Sequence, residues 1–410
     1  MPAFDFLDLD QFAKGTPYAA LAELRRTEPS SWQPMPSPRD PHDGFWLVTR
    51  YADIVEISKK AELFHSNSGT LLDDHPPATA PAPWSMVKNE FCSLDGEMHR
   101  AYRQAIAPEF APKAIAGMRA ALDKLARDVV GELCHRGSVD FAEAVAVRFP
   151  VDVVLGQLLG LPPGDRERAA YWSDVISAPE DPEFRHRPDS AIRAIAEMYD
   201  YALRLYADRC ASPRADLASV IAHARLPDGT AVGLEVFSHY FWSMILGSFD
   251  TTASTIATGT EAFLDFPDEW DRLTARPELL PSAVEECLRW ASAAVYFRRT
   301  VTRDTDLRAH AMKAGQRIAL CYPAGNCDDE VFAEPDRFDV GRTPNNHLSF
   351  GYGAHFCLGA HLARMELSAI FGELLRRGVR LRKTGPVVRT RSNFLNRVKR
   401  FPVEVFSATS

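Results

Sequence analysis

Alternating apolar positions mark a short strand near the start of the chain. In the stretch GFWLVTR at 44–50, Phe45, Leu47 and Thr49 fall on one face, which is the period of a half-buried strand. The following stretch, YADIVEISKK, has its apolar residues at helical spacing. The sequence therefore predicts a strand that leads directly into a helix.

Long helices are predicted for the middle of the chain. The stretches 99–135 and 189–223 are rich in Ala, Leu, Arg and Glu, which favour helix, and contain few breakers. Helix breakers gather instead at 73–84 and 177–190, which we interpret as loops. A further helical pattern runs over 234–264, about 45 Å at 1.5 Å per residue, so we expect one helix to cross the molecule.

Short strand-like runs appear after residue 290, in the stretches RRTVTRDTDL, GQRIALCY and, near the end, RFPVEVF. The predicted fold class is therefore mainly α with a small β component. The 410 residues contain no low-complexity linker, so we expect a single large domain over 1–410. Its β-rich minor lobe is expected near 40–65 and 295–325, together with the C-terminal strands, and the remainder is expected to be helical.

Composition and charge narrow the range of functions. An apolar content of 46%, a charged content of 25% and a net charge of -8 suit a globular protein that binds small apolar ligands, not nucleic acid. The seven cysteines are scattered without a C-x-x-C pair, which is typical of a reduced cytoplasm and argues against disulfide frameworks and zinc ribbons. The acidic start does not resemble a secretory signal, and Ser238 and His239 interrupt the most apolar stretch, 236–247. We therefore expect a cytoplasmic protein without a membrane anchor.

Cys357 is the residue that most needs a chemical explanation. Within FGYGAHFCLG it lies between Gly351 and Gly353 on one side and Gly359 on the other, so the backbone can approach a flat or bulky group. A helical pattern begins directly afterwards, and amide donors at a helix start favour thiolate over thiol. Three interpretations are open: a nucleophile with His355 as its base, the axial ligand of haem iron, or a buried structural cysteine.

The same stretch resembles the cysteine motif of the cytochrome P450 family, F-x-x-G-x-[HR]-x-C-x-G. The chain matches the motif at Phe350, Gly353, His355, Cys357 and Gly359. The resemblance implies a mainly helical P450 fold that holds haem b between the helix at 234–264 and the helix after Cys357. It also implies that these residues surround the haem and that Cys357 is the thiolate ligand of the iron.

A second agreement with the family is a predicted structural triad behind the haem. The stretch VEECLRW places Glu286 and Arg289 at positions i and i+3 of one helical face. The later stretch FAEPDRF supplies Arg337, and the resemblance implies that this arginine joins the other two. Such a charged cluster is tolerated in an interior only when every member is paired.

A third agreement concerns proton delivery. The stretch LGSFDTT resembles the family motif on the oxygen-binding side of the haem, which implies that Asp250 and Thr251 are the acid and the alcohol of a proton relay. A threonine in mid-helix can also bond to a carbonyl of the preceding turn and open the helix locally. Ser248 stands where the family generally has glycine, so the width of the oxygen groove is a point of difference.

The remaining agreements concern the haem propionates. In EMHRAYR, His99 and Arg103 lie on adjacent helical turns, as in the family's [WH]-x-x-x-R motif. In VYFRRTVTRD, the spacing favours Arg299 over Arg298 as a further propionate ligand. With His355, these groups supply the donors that carboxylates require.

The resemblance implies a monooxygenase that activates O2 and inserts one oxygen atom into a small apolar molecule. Because the chain contains no flavin or iron–sulfur motif, the expected electron donors are a ferredoxin and its NAD(P)H-dependent reductase, and we expect the protein to be a monomer. A basic face near the cysteine is the expected ferredoxin site. Its residues are Arg100, Arg103, Lys113, Arg342 and Arg364.

The expected substrate is a terpenoid, a steroid or another lipid-like molecule. GQRIALCYPAGNCDDEVF and SNFLNRVKRFPVEV resemble bacterial members that hydroxylate such compounds. With the loop before residue 95, the pocket is predicted to include Phe249, Val295, Tyr296, Phe297, Phe394 and Leu395. Its polar anchors are predicted to be Tyr296, Asn393 and Asn396. The alternative function is a non-catalytic haem-binding sensor or ligand carrier on the same scaffold.

Overall fold

The computed structural model describes residues 4–35, 43–72 and 86–406. Helices form most of the regular structure and strands a minor part, which confirms the predicted fold class. Its α-helices include α1 (Leu9–Ala13), α2 (Tyr18–Thr27), α3 (Tyr51–Lys59), α4 (Gly96–Ile106), α5 (Pro112–Gly117), α6 (Arg119–Cys134), α7 (Arg148–Val151), α8 (Pro163–Ser177), α9 (Ser190–Ala211), α10 (Leu217–His223), α11 (Leu234–Gly247), α12 (Phe249–Asp265), α13 (Pro267–Ala275), α14 (Leu280–Ala291), α15 (Tyr322–Asn326) and α16 (Ala360–Arg376). Wider π-helical turns, Ala142–Val147 and Asp152–Leu158, flank α7.

The strands are β1 (Ser30–Pro34), β2 (Gly44–Val48), β3 (Phe64–His65), β4 (Ser138–Asp140), β5 (Tyr296–Val301), β6 (Thr305–Leu307), β7 (His310–Met312), β8 (Arg317–Cys321), β9 (Arg380–Lys383), β10 (Val388–Arg389), β11 (Val398–Arg400) and β12 (Pro402–Phe406). One five-stranded sheet has the order β1-β2-β8-β5-β3, in which only β2 and β8 are parallel. The C-terminal strands β9 and β12 pair with β4 in a separate sheet. The predicted strand and helix at 44–60 are confirmed as β2 and α3.

Two of the predicted long helices are interrupted at prolines. The stretch 99–135 forms three helices, α4, α5 and α6, with Pro108 in the turn after α4 and Pro112 at the start of α5. The stretch 189–223 divides between Ala211 and Leu217, around Pro213. Proline lacks the N–H that continues a helix, so single prolines outweigh the helical composition on either side.

The predicted helix over 234–264 is also divided, at Ser248. The structure has α11 up to Gly247 and α12 from Phe249, with Ser248 at φ -104° and ψ -57°. The Ser248 hydroxyl donates to the Met244 carbonyl, a back-bond that bends helices. The expectation of one continuous helix was therefore wrong at the point where the site begins.

The helix α12 lies in the main core and packs against α14 and α16. At Gly259 the helices approach so closely that a Cβ would lie 2.9 Å from Cys287 Sγ on α14 and 3.2 Å from the Phe371 ring on α16. The Phe263 ring packs edge to face on Phe338 and Phe371, with centroids 5.1 Å and 5.7 Å away. Because Cys357 immediately precedes α16, this packing fixes α12 relative to the cysteine loop.

The loop prediction for 177–190 is confirmed, because α8 ends at Ser177 and α9 begins at Ser190. The predicted loop at 73–84 lies outside the described residues. Within the described part of the chain, no single helix is long and apolar enough to cross a membrane. Ala142–Leu158 and Pro163–Ser177, bent by 118° to each other, meet the length and composition only as a pair.

Candidate functional site

The loop that carries Cys357 is folded around glycines. The Cys357 amide donates to the Phe350 carbonyl over 2.8 Å. Gly351 and Gly353 have φ angles of 69° and 72°, which favour glycine. A Cβ on Gly353 would lie 2.4 Å from the Ser58 carbonyl oxygen of α3, so a side chain there would displace the loop. These glycines thus hold Cys357 at the N-terminal end of α16.

The Cys357 side chain is solvent-accessible although it lies deep in the fold. Burial of the sulfur among protein atoms raises the pKa of the Cys357 thiol above its ordinary value, while the Gly359 amide and the charges of Arg103 and Arg364 lower it. The donors expected from the sequence are therefore present, but the depth of the site outweighs them. A bound metal ion deprotonates a coordinating thiol outright, so these donors suit a metal-bound thiolate.

His355 is engaged with groups other than the cysteine. Its Nε2 lies 3.2 Å from Asp95 Oδ1 and 3.4 Å from Ser66 Oγ. Its ring stacks on His99, with 4.3 Å between the ring centroids. Among the described residues no hydrogen bond joins His355 to Cys357, so the interpretation of Cys357 as a nucleophile lacks its base.

Basic side chains converge beside Cys357. His99 and Arg299 are 2% and 5% exposed, and Arg103 is half-buried. Burial, together with the charges of His355 and Arg103, lowers the pKa of His99 to about 4. The His99 Nε2 atom is buried and has no hydrogen-bond partner in the described part of the chain. An unpaired donor among cations fits an anionic ligand, as the propionates of haem b would be.

The direction of Arg299 supports its choice over Arg298. The Arg298 guanidinium donates to the Leu71 carbonyl over 3.3 Å. The charge of Arg299, in contrast, acts on both His99 and His355. Because neighbouring residues of a strand point to opposite faces, only Arg299 is directed to the cysteine side of β5.

The ion pair behind the cysteine loop is completed by a different arginine from the one predicted. Glu286 and Arg289 are both 0% exposed and form a two-point pair, with both distances 2.8 Å. Arg342 Nε lies 3.2 Å and 3.1 Å from the two Glu286 oxygens. The Arg337 side chain is 56% exposed and reaches Glu334 and, at 4.0 Å, Glu269. The prediction of Arg337 as the third member was wrong, and Arg342 takes that place.

Arg337 still contributes to the cluster through its main chain. Its carbonyl accepts from Arg289 Nη2 at 3.2 Å and from Arg342 Nη2 at 2.8 Å. Asn345 adds a further donor to Glu286 at 3.1 Å. The sequence signal for Arg342 was its position five residues after Arg337. Arg342 is only 9% exposed, so it is not part of the basic face expected to bind a ferredoxin.

Thr251 lies on the accessible side of α12. Thr251 is half-buried. Its hydroxyl lies 3.4 Å from the carbonyl oxygen of Gly247, and Gly247 itself is exposed. Thr255 Oγ1 donates in turn to the Thr251 carbonyl over 2.8 Å. The local bonding of threonine to the preceding turn, predicted from the sequence, is therefore present. Among the described residues the Thr251 hydroxyl has this one long contact, so it is available to a ligand.

Asp250 is buried on another side of α12. Its carboxylate is 0% exposed, accepts a short hydrogen bond from Ser173 of α8, and lies 3.0 Å from Arg397 Nη1. Burial raises the pKa of Asp250 to about 7, and the Ser173 hydrogen bond opposes that effect. Ser173 and Arg397 were missed from the sequence because they are 77 and 147 residues away and belong to no local motif.

The structure brings most of the predicted pocket residues together. The Val295 amide donates to the Phe394 carbonyl over 2.8 Å, and Ala294 pairs with Leu395. The Phe297 and Phe394 rings are 5.8 Å apart, and both remain partly exposed. Val295 and Leu395 are buried directly beside them. An apolar surface for a ligand is therefore available at Phe297 and Phe394.

Two further predicted pocket residues are enclosed by the fold. Phe249 is 0% exposed and packs within the main core. The Tyr296 ring packs on Phe6 at 5.5 Å and on Phe394 at 5.7 Å, and its hydroxyl accepts from the Leu72 amide over 3.1 Å. Tyr296 lies on the opposite face of β5 from Phe297, because successive side chains of a strand alternate.

The predicted polar anchors serve the fold. Asn393 Nδ2 donates to the Phe6 carbonyl over 3.0 Å, and Asn396 Nδ2 donates to the Ala291 carbonyl over 2.9 Å. These bonds tie the C-terminal segment to the N-terminal segment and to the end of α14. The loop before residue 95 falls partly in 73–85, outside the described residues.

The side chains around Cys357 fit haem b better than a metal ion held by protein side chains alone. In the described ranges, no group of three or more His, Cys, Asp or Glu side chains is arranged to hold a metal. The site instead offers one accessible sulfur, which suits a single axial ligand of the iron, and several nearby basic side chains, which suit the two propionate carboxylates. Cys357 would hold the iron, and His99, Arg103, Arg299 and His355 would hold the propionates.

Comparison with known proteins agrees with this geometry. The family model described as Cytochrome P450 matches residues 265–378. Steroid C26-monooxygenase of Rhodococcus jostii is 33% identical over 99% of this chain and 85% of its own length. Linalool 8-monooxygenase of Pseudomonas putida is 32% identical over 97% of this chain and 98% of its own length. A Mycobacterium marinum cytochrome P450 solved in complex with pseudoionone superimposes with a TM-score of 0.88 at 33% identity, over 96% of both chains.

The accessible cysteine, its cations and this similarity over nearly the whole length define a haem-thiolate protein, and the chain belongs to the cytochrome P450 family. It is a cytochrome P450 monooxygenase of the bacterial type that carries haem b. The relatives are named as monooxygenases, so the alternative of a non-catalytic sensor or carrier has no support from them.

Proposed function

We propose that this protein is a ferredoxin-dependent monooxygenase that hydroxylates the methyl-branched end of an isoprenoid or related lipid. The observation that carries the proposal is the apolar surface at Phe297 and Phe394, beside which Asn393 and Asn396 are occupied by the fold. C26 of a steroid and C8 of linalool, named for two relatives, are both terminal methyl carbons of a branched chain. A shared preference for such a chain end explains both names.

Haem b supplies oxygen activation when it is bound through Cys357. The task of the protein is then to orient the substrate carbon and to deliver protons. Phe297 and Phe394 provide apolar contact without a hydrogen-bonding group that would orient a polar substrate. We infer that the substrate is positioned by its shape and that its branched end is directed toward the cysteine side of β5.

Proton delivery is assigned to Asp250 and Thr251. Asp250 has a pKa of about 7, so it can both hold and release a proton near neutral pH. Thr251 presents its Oγ1 on the accessible side of the same helix. A water molecule is needed between them, because the Asp250 carboxylate points toward Ser173. We expect Thr251→Ala to lower product formed per NADH by about 10²-fold, the lower end for proton transfer by a positioned side chain.

The electron partner is proposed to dock on the surface around the start of α4. Arg100 of α4 and Lys113 of α5 are exposed. Met98 and Phe356 are 56% and 40% exposed, and Phe356 precedes Cys357. Apolar side chains with a basic rim suit an acidic ferredoxin. We infer that the protein works as a monomer in the cytoplasm, where a ferredoxin and its reductase are available.

The experiment that tests the substrate class is an optical titration of the ferric enzyme with matched ligand pairs. A steroid with an intact side chain is compared with the same ring system without the side chain, and a methyl-branched fatty acid with its straight isomer. We expect the branched member of each pair to convert the haem to high spin. Turnover with a ferredoxin system should then add one oxygen atom at the chain end. Equal binding of both members, or oxidation of the rings, would contradict the proposal.

A further inference from the structure

One buried guanidinium is shared by two carboxylates where α8, α12 and the C-terminal segment meet. Arg397, with a side chain 9% exposed, places its Nη1 3.0 Å from Asp250 Oδ1. The same nitrogen contacts Asp174 Oδ1 of α8. Both Oδ1 atoms are buried, and neither receives a directed hydrogen bond from another described group. The two acids therefore depend on the same atom for their compensation.

The charges of this cluster do not balance. Asp174 and Asp250 bring two negative charges, and Arg397 brings one positive charge. In the described part of the chain, no other basic side chain lies within 4.0 Å of either carboxylate. The Ser173 hydroxyl serves only Asp250, through its other oxygen. Since a buried charge needs a partner, a closer contact of Arg397 with one acid leaves the other less compensated.

The three members are held by different parts of the molecule. Asp250 belongs to the central helix α12, and Asp174 lies in the last turn of α8. The backbone of Arg397 is fixed next to β11, with its amide 3.0 Å from the Leu395 carbonyl and its carbonyl 2.9 Å from the Thr390 amide. A shift of the end of α8 would therefore change the contact of Asp174 with Arg397 and the hydrogen bond of Ser173 with Asp250, while the backbone of Asp250 stays on α12.

We propose that Arg397 is a positioning residue for Asp250 and that Asp174 competes with Asp250 for its guanidinium. This inference rests on the proposed function, in which Asp250 passes protons toward Thr251. With Arg397 held by Asp174, Asp250 is less compensated and takes up a proton. With Asp174 moved away, Arg397 holds Asp250 as the carboxylate. Asp174, 20% exposed, is the member of the cluster that solvent reaches.

The proton affinities of the cluster are consistent with this arrangement. Burial raises the pKa of Asp250 to about 7 and lowers the pKa of Arg397 to about 10. Asp250 can therefore change its protonation near neutral pH while Arg397 remains charged. Loss of the opposite charge beside a carboxylate raises its pKa, and removal of a competing carboxylate lowers it.

The test is an infrared titration of the holoenzyme, in which the carbonyl band of protonated Asp250 is assigned by its loss in Asp250→Asn. Asp174→Asn and Arg397→Met are compared with the parent enzyme. We expect the pKa of Asp250 to fall in Asp174→Asn and to rise in Arg397→Met, each by about one pH unit or more. Arg397→Lys should restore the parental titration in part.

Arg400→Met is the matched control, because Arg400 lies three residues after Arg397, at the end of β11, and pairs with Glu183 and not with Asp250. Its titration should equal that of the parent. Unchanged titrations in both test variants, shifts in the same direction, or an equal shift in the control would overturn the inference. Should Arg397→Met fail to fold, the direction in which the pKa of Asp250 shifts in Asp174→Asn decides whether the inference holds.

The proposed proton relay is judged by a different measurement. If Asp250→Asn forms as much product per NADH as the parent enzyme, the relay is wrong. The infrared titrations still show in that case whether Arg397 is shared, so the two failures are distinguishable.

Discussion

Glu286 receives more donors than any other carboxylate described above, and all of them hold the chain segment that leads to Cys357. Its oxygens accept from Arg289, Arg342, Asn345 and the Asp339 amide. A buried carboxylate is stable only while such partners remain, because each unpaired charge in the interior costs several kcal/mol. The stability of this region therefore depends on single side chains that contact neither haem nor substrate.

The two arginines of this region should differ sharply in their effect on stability. Arg342→Ala removes a charge that is directly paired with buried Glu286, and we expect a loss of about 3–5 kcal/mol in the free energy of unfolding. Arg337→Ala keeps the carbonyl that accepts from Arg289 and Arg342, so we expect a change within about 0.5 kcal/mol. Urea unfolding of both variants measures the difference. Similar losses would contradict the assignment of Arg342 as the third member.

Asp250 should give the enzyme a stability that falls as the pH rises. Its pKa is about 7 in the folded protein and 3.8 without the fold, so the folded state binds more protons between these values. The stabilisation is fully present below about pH 4 and is lost as the pH rises through 7, at about 1.4 kcal/mol for each pKa unit. Melting curves of the parent and of Asp250→Asn over this range measure it. If the difference in melting temperature between the parent and Asp250→Asn does not shrink with rising pH, the high pKa of Asp250 is contradicted.

At the residue scale, the sequence predicted the groups that belong to contiguous motifs. Cys357, Glu286 and Arg289 each lie in a short pattern whose chemistry can be interpreted locally. Arg397 and Asp174 could not be predicted in this way, because their contact with Asp250 joins three distant segments. The face of β5 on which Tyr296 lies could not be predicted, because a one-residue change along a strand reverses the face and the sequence alone did not fix that register.

At the element scale, the crossing of α12 with α14 and α16 is set by the absence of a side chain at Gly259. Alanine favours helix over glycine by about 1 kcal/mol, so composition alone would favour replacement. The space is missing, since the added Cβ would lie 2.9 Å from Cys287 Sγ. Packing therefore outweighs helix propensity at this position.

We expect Gly259→Ala to lower the thermal midpoint of the holoenzyme, because overpacking in a filled core costs about 1–3 kcal/mol. Gly117→Ala is the control: it ends α5, and a Cβ there would meet nothing within 4 Å. That change should be neutral or stabilising by about 0.4–1 kcal/mol. A gain of stability in Gly259→Ala would show that the helices can separate at little cost.

The existence of the helices could be predicted better than their ends. Helical composition over 99–135 and 234–264 correctly placed α4 to α6 and α11 with α12. The breaks depend on single residues: Pro108 and Pro112 remove amide donors, and Ser248 bonds back to Met244. A window average of helix propensity hides such residues, although their effect on the backbone is decisive.

At the scale of the whole molecule, the segment 178–189 between α8 and α9 is held by the C-terminal strand β11. Asp181 is 0% exposed and accepts from Lys399 at 3.0 Å and 2.9 Å and from the Arg391 amide at 2.8 Å. Glu183 pairs with Lys399 and Arg400. The strand β11 thus anchors this segment, and Arg397, which directly precedes the strand, contacts Asp250.

Asp181→Asn should loosen this segment. A hydrogen bond to a charged group is worth about 1.5–3 kcal/mol, so we expect 178–189 to open roughly tenfold more often. Amide hydrogen exchange of this segment measures the opening. Glu180→Gln, which alters a 56% exposed side chain paired with Arg185, should leave the exchange unchanged. Equal exchange in the two variants would mean that Asp181 does not hold the segment.

The parallel pairing of β2 with β8 has a consequence for the synthesis of this enzyme. Phe45 of β2 lies opposite Arg317 of β8, so most of the chain must leave the ribosome before the sheet can close. At about 5–20 residues per second, the apolar strand β2 waits on the order of tens of seconds for its neighbour. Arg299 and Cys357 emerge in the same late period. We therefore expect haem to be captured only after Cys357 has emerged, and the nascent chain to be most prone to aggregate before then.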